Sequence, residues 1–94
     1  MAVVHWTARA EQDLEDILTY YLNEAGAHVA QSIYVRIRST VQSLQQFPEH
    51  TRVGHVAGTR ECVIARLPFI VMMQVQDDYV YVLNVIHTAR KYPA

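Results

Sequence analysis

His87, Arg90, Lys91 and Tyr92 fall within six residues, directly after the last apolar run of the chain. An imidazole exchanges a proton near neutral pH, and a guanidinium grips a phosphate through two parallel hydrogen bonds. A phenol ring stacks on a base or donates a hydrogen bond. These are the parts of a metal-independent ribonuclease, in which a 2′-hydroxyl attacks the neighbouring phosphate. On that reading His87, Arg90 and Tyr92 are the catalytic set, and Arg60, Arg66 and Lys91 contact substrate or partner. The plainer reading makes His87 a hydrogen-bonded histidine at a strand end, with Arg90 and Lys91 a solvated tail. No fixed-spacing motif decides between the two.

Other chemistry finds little support. His5 alternates within a first strand, His28 opens a helix, and His50 and His55 share a loop. No cysteine or paired acid completes a zinc set around them, so no metal and no cofactor is expected. Neither a glycine-rich phosphate loop nor a serine-nucleophile elbow occurs. Cys62 is the single cysteine. It rules out an internal disulfide, suits a reducing cytosol, and lies inside a strand pattern where a buried thiol is inert.

The elements that must position these residues show in the periodicity. Val3 to Trp6 reads as a short strand. Thr7 is a helix N-cap, with Glu11, Asp13, Glu15 and Asp16 placing negative charge early in the helix. Those acids read as a solvated face. Ala10, Leu14, Ile17, Leu18, Tyr21 and Ala25 recur at helical spacing, and Gly26 stops the helix in a left-handed cap. Ala30, Ile33, Tyr34, Ile37, Val41 and Leu44 form the stripe of a second helix, which ends at Phe47-Pro48. Tyr20, Tyr21 and Tyr34 fall on or beside these stripes, as packing residues. A loop follows, with an extended piece around Arg52-Val53. Three strands come next: Thr59 to Arg66, Phe69 to Val75 and Tyr79 to His87, the last two joined by a tight turn at Gln76-Asp77-Asp78. Simple alternation turns Tyr81, Leu83, Val85 and His87 to one face and Val80, Val82, Asn84 and Ile86 to the other. Both faces are largely apolar, as in a central strand. The expected fold is α+β: a short N-terminal strand, an antiparallel helical hairpin and a three-stranded antiparallel meander, with the helices on one face.

Size and charge bound the rest. Ninety-four residues, 51% of them hydrophobic, suffice for one small ordered domain over residues 1–94. Leu67 to Met73 is the longest apolar run, too short to cross a bilayer, and the first residues lack a signal-peptide pattern. Residues 1–51 carry a net −3 and residues 52–94 a net +2, with one lysine in the whole chain. A mildly basic sheet half is compatible with an acidic protein partner or with RNA.

The ordered set of pieces resembles a known family. A short strand precedes Thr7-x-x-Ala10-x-x-Asp13-Leu14-x-x-Ile17-x-x-Tyr20. A helical hairpin, Phe47-Pro48, Gly58-x-Arg60-Glu61 and Pro68-Phe69-Ile70-Val71 follow, and Val85-Ile86-His87-x-x-Arg90-x-Tyr92-Pro93 closes the chain. Together they are similar to toxins of the RelE/ParE superfamily of type II toxin–antitoxin systems, most like the ParE branch. The resemblance implies a cytoplasmic, growth-arresting toxin, neutralised by a cognate antitoxin laid across the hairpin and sheet, and it allows higher-order toxin–antitoxin oligomers. The ParE branch implies poisoning of DNA gyrase by contact, without catalysis, and a link to plasmid maintenance. The RelE branch implies a ribosome-dependent mRNA endonuclease, and a degenerate member would bind only its antitoxin. RelE-type members bring several lysines and arginines to the mRNA, and a single lysine departs from that pattern.

Overall fold

The computed structural model describes residues 3–47 and 50–88. Two helices and five strands follow in the order β1 (Val3–Trp6), α1 (Ala8–Ala25), α2 (Ala27–Gln42), β2 (Arg52–Val53), β3 (Arg60–Val63), β4 (Phe69–Gln76) and β5 (Tyr79–His87). The strands form one sheet in the order β1-β5-β4-β3-β2. The expected α+β architecture holds, with a correction to the sheet. It has five strands and is mixed, because β1 runs parallel to β5 while the other pairs are antiparallel. The extended piece at Arg52-Val53 is a true edge strand paired with Arg60 and Glu61.

Thr7 starts α1 as its type suggests. Its Oγ1 accepts from the Ala10 amide at 3.2 Å and donates to the Val82 carbonyl at 2.8 Å. Its own amide donates to the same carbonyl at 3.1 Å. One residue therefore caps the helix and prolongs the β1–β5 ladder. Gly26 alone links the helices, at φ 91° and ψ 169°. Its φ is positive, as expected of a glycine stop, but its ψ is extended and not left-handed helical. That extended residue lets α2 begin at once and pack antiparallel to α1. α2 ends earlier than Phe47-Pro48 suggests, passing at Ser43 into a 3₁₀ turn over Ser43–Gln45; Pro48 lies outside the described residues.

Ala10, Leu14, Ile33, Ile37, Val41 and Leu44 from the helical segments meet Cys62, Ile64, Phe69, Val71, Met73, Val80, Val82 and Val85 of the sheet side in one buried core. Both helical stripes are thus read correctly, apart from exposed Ala25 at the helix end. Arg38 ties three elements together at the core's margin. Its guanidinium lies 4.5 Å from the Trp6 ring and 5.4 Å from the Tyr34 ring, and pairs with Glu11.

Two details of the sheet depart from simple alternation. Met72 pairs with Asn84 and Met73 with Val82, so Leu83 is an extra residue in a β-bulge. Past it the faces exchange. Val85 and His87 join Val80 and Val82 on the helix side, each paired with a helix-side residue of β4, Val71 and Phe69 respectively. Tyr81 instead lies with Tyr79 and His5, its ring 5.8 Å from each of theirs. The third expected strand is also shorter, because the chain turns after Ile64. The Ile64 amide donates to the Phe69 carbonyl at 3.1 Å, and the Leu67 amide to Ile64. Arg66 sits in that turn at φ 66°, exposed and off the sheet.

Thr7→Ala removes the cap and a hydroxyl donor to β5 together. We expect a loss of about 1–3 kcal/mol of stability, read from urea unfolding midpoints.

Candidate functional site

β5 reaches His87 five residues beyond the last point at which β1 accompanies it, Val82. The exposed edge so created is taken over by α1. Asp13 Oδ2 accepts the Val85 amide at 3.0 Å and the Asn84 side-chain amide at 3.3 Å. Its Oδ1 accepts from Arg9 Nε at 3.1 Å. Asp13 is therefore a structural acceptor, not part of a solvated acidic face. Its position three residues after Ala10 and four before Ile17 is the signal that places it on the inward margin of the helix.

Between α1 and the end of β5 lies a cavity of about 120 Å³, lined by Asp13, Asp16, Ile17, Tyr20, Tyr21, Phe69, Val85 and His87. Four of its rings stand edge to face in series. Tyr20 and Tyr21 have centroids 5.1 Å apart, Tyr21 and Phe69 6.3 Å, and Phe69 and His87 5.3 Å, with interplanar angles of 90°, 75° and 90°. His87 thus faces two carboxylates and an aromatic wall. A phosphodiester brought to its ring would meet like charge.

The arginines expected near His87 divide. Arg66 is in the β3–β4 turn, at the same sheet end as His87, where the Thr88 amide bonds the Pro68 carbonyl at 2.9 Å. Arg60 pairs across the sheet with Met73, whereas His87 pairs with Phe69. Four residues of β4 separate those registers, roughly 13 Å along the strand at ~3.3 Å per residue. Arg60 is also occupied, donating to Thr51 Oγ1 at 3.1 Å and to the Thr51 carbonyl at 2.9 Å. Arg90, Lys91 and Tyr92 lie outside the described residues.

A second polar cluster was not foreseen. The Glu61 side chain is fully buried, beside Arg52 Nε at 3.2 Å and His55 Nδ1 at 3.3 Å, and it accepts the His55 backbone amide at 3.2 Å. Burial by itself would raise its carboxyl. The His55 amide and ring and the Arg52 guanidinium outweigh burial and hold it below the usual glutamate value of 4.5. These contacts pin the loop that runs from β2 to β3. The loop closes through the Gly54 amide on the Thr59 carbonyl at 2.9 Å, an approach so tight that a Cβ on Gly54 would collide with Thr59 Oγ1. The sequence hint was the Arg60-Glu61 pair opening an otherwise apolar strand. Among the described residues no group of three or more His, Cys, Asp or Glu is arranged to hold a metal. No helix there is long and apolar enough to cross a membrane.

Comparison with known proteins places this frame. The family model for the ParE toxin of type II toxin–antitoxin systems, parDE, matches residues 4–92. The chain belongs to the ParE toxin family. It is 33% identical over 90 residues to Toxin RelE2 of Caulobacter vibrioides, covering 96% of this chain and 99% of that one. It is 31% identical over 90 residues to the Y4kP protein of Sinorhizobium fredii, covering 96% and 92%. Among solved structures, a chain of the chromosomal ParDE TA system from P. aeruginosa superposes with a TM-score of 0.86 at 27% identity, covering 93% of this chain and 96% of that one. A copper-bound mutant toxin from Helicobacter pylori shares the fold, with a TM-score of 0.65 at 15% identity, over 98% and 100% of the two chains. The chain is thus a toxin of the RelE/ParE superfamily, as the ordered sequence pieces suggest.

In this ParE-family chain Glu61 makes stability depend on acid. Its folded value is depressed, so its contribution is whole above about pH 4.5 and is lost as pH falls through the lower folded value. Glu61→Gln should cost about 1–3 kcal/mol at pH 7. It should also flatten the acid side of the stability profile, measured by urea unfolding from pH 7 to 3.

Proposed function

We propose that this ParE-family toxin acts in the cytoplasm through protein contact on DNA gyrase, and is held in check by a cognate antitoxin protein. The observation that carries the choice against RNA cleavage is the setting of His87. Its cavity is walled by aromatic rings, bordered by Asp13 and Asp16, and far smaller than the several hundred cubic ångströms that ligand sites usually offer. Arg60 is turned to Thr51 and stands apart from His87 along the sheet. An mRNA site needs converging cations, because phosphate neutralisation supplies much of the affinity. Gyrase as the target follows from the ParE-like signatures, and an antitoxin partner from the family and from the ParDE system that this fold resembles. The groove between α1 and α2, about 440 Å³ and lined by Glu11, Leu14, Glu15, Leu18, Gln31, Tyr34 and Arg38, offers that partner an apolar floor with charged edges.

One observation favours a second reading. The name of the 33% identical Caulobacter relative belongs to the RelE branch. A ribosome-dependent endonuclease would use His87 to move the proton, Arg60, Arg66 and Arg90 on phosphate, and Tyr92 against a base.

Purified toxin should inhibit gyrase supercoiling, or trap cleaved DNA, at micromolar concentration or below. Primer extension on mRNA after induction should show no codon-linked cuts. Codon-linked cuts that vanish in His87→Ala, with gyrase untouched, would establish the endonuclease instead. Antitoxin-free expression without growth arrest would leave only antitoxin binding.

A further inference from the structure

The cavity at the end of β5 has the chemistry of a socket for one cation. Tyr20, Tyr21, Phe69 and His87 line it, and an aromatic ring face carries the partial negative charge that attracts a cation. Asp13 and Asp16 add carboxylates to the same lining. Asp13 is committed to β5 and to Arg9, so its charge is largely answered. Asp16 accepts from the neutral Gln12 side chain at 2.9 Å, and no cation pairs with it among the described residues. No arginine or lysine lines the cavity among the described residues. At about 120 Å³ it admits the head of one long side chain, not a nucleotide.

The neighbourhood indicates where such a side chain comes from. α1 carries Glu11 and Glu15 toward the interhelical groove and Asp13 and Asp16 toward this cavity. Arg38 answers Glu11, but among the described residues Glu15 on one flank and Asp16 on the other have no ion pair, so a segment crossing α1 is best complemented by basic side chains. A guanidinium fits better than an ammonium, because it stacks flat on a ring while donating two bonds to a carboxylate.

We propose that this cavity anchors one arginine of the antitoxin, with Asp16 as its counter-charge and Tyr20 as its aromatic wall. The proposal rests on the antitoxin partnership put forward above and adds the residue chemistry of the contact. It predicts a pairwise signature. Take the antitoxin encoded beside this chain and replace each of its arginines by alanine in turn. Titrate each variant by calorimetry against the full-length toxin and against Asp16→Asn, whose exposed site does not threaten folding. One arginine should lose at least tenfold in affinity against the unaltered toxin and less than threefold against Asp16→Asn. Tyr20→Phe should bind as the unaltered toxin does, and Tyr20→Ala should weaken binding severalfold. If every arginine loses the same factor in both backgrounds, the pocket is not an arginine anchor. If Asp16→Asn instead couples to Arg90→Ala or Lys91→Ala in the melting temperature of the free toxin, the chain fills its own cavity and the proposal falls. Should the unaltered toxin bind no antitoxin at all, the partnership fails first, and this contact with it.

Discussion

The sheet depends on a single handover along one edge of β5. β1 accompanies β5 only as far as Val82, and beyond that point β5 would present unpaired amides. Thr7 and Asp13 supply the missing acceptors and donors from the start of α1. A buried amide without a partner costs about as much as a lost hydrogen bond, so this substitution of helix for strand is obligatory. It also fixes α1 on the sheet, since two side chains six residues apart are tied to β5, Thr7 to Val82 and Asp13 to Asn84 and Val85. The hairpin partner α2 then has little freedom, because Gly26 alone separates it from α1. The position of the cavity follows: α1 gives it Asp13, Asp16, Tyr20 and Tyr21, and the clamped end of β5 gives it Val85 and His87.

Much of this frame is legible in the sequence. Thr7, the two helical stripes, the hairpin at Asp77-Asp78 and the strand run from Tyr79 all follow from periodicity and local chemistry, which act over a few residues. What escaped depends on neighbours distant in sequence. The parallel pairing of β1 brings residues 3–6 beside residues 79–82, and no local pattern encodes that. The β-bulge at Leu83 is similar: Val82-Leu83-Asn84-Val85 reads as plain alternation until β4 is laid beside it. Arg66 looked like strand because a left-handed residue there is not glycine. Glu61 had no structural role assigned from the sequence, because its partners, Arg52 and His55, come from a stretch with little periodicity.

The candidate site was less legible than the fold. His87 was found from its residue type, but its surroundings were misjudged. Of the expected cations, Arg66 shares its end of the sheet, Arg60 stands apart, and Arg90 and Lys91 lie outside the described residues, while the acids of α1, read as solvated, are its neighbours. Electrostatic character is a property of the assembled cavity, and a net charge of +2 over residues 52–94 says nothing of which charges meet.

β5 spends nine residues where β4 spends eight, with Leu83 as the surplus. The strand thereby holds a reserve of one residue. A residue lost between Val82 and Val85 could be absorbed by straightening the bulge, with Val85 still opposite Val71 and His87 still opposite Phe69. A residue lost after Val85 has no such reserve beside it, and would carry Thr88 into the place of His87 at the cavity wall. Length variation among relatives is therefore tolerable on one side of Val85 and consequential on the other, a boundary that sits within a single strand.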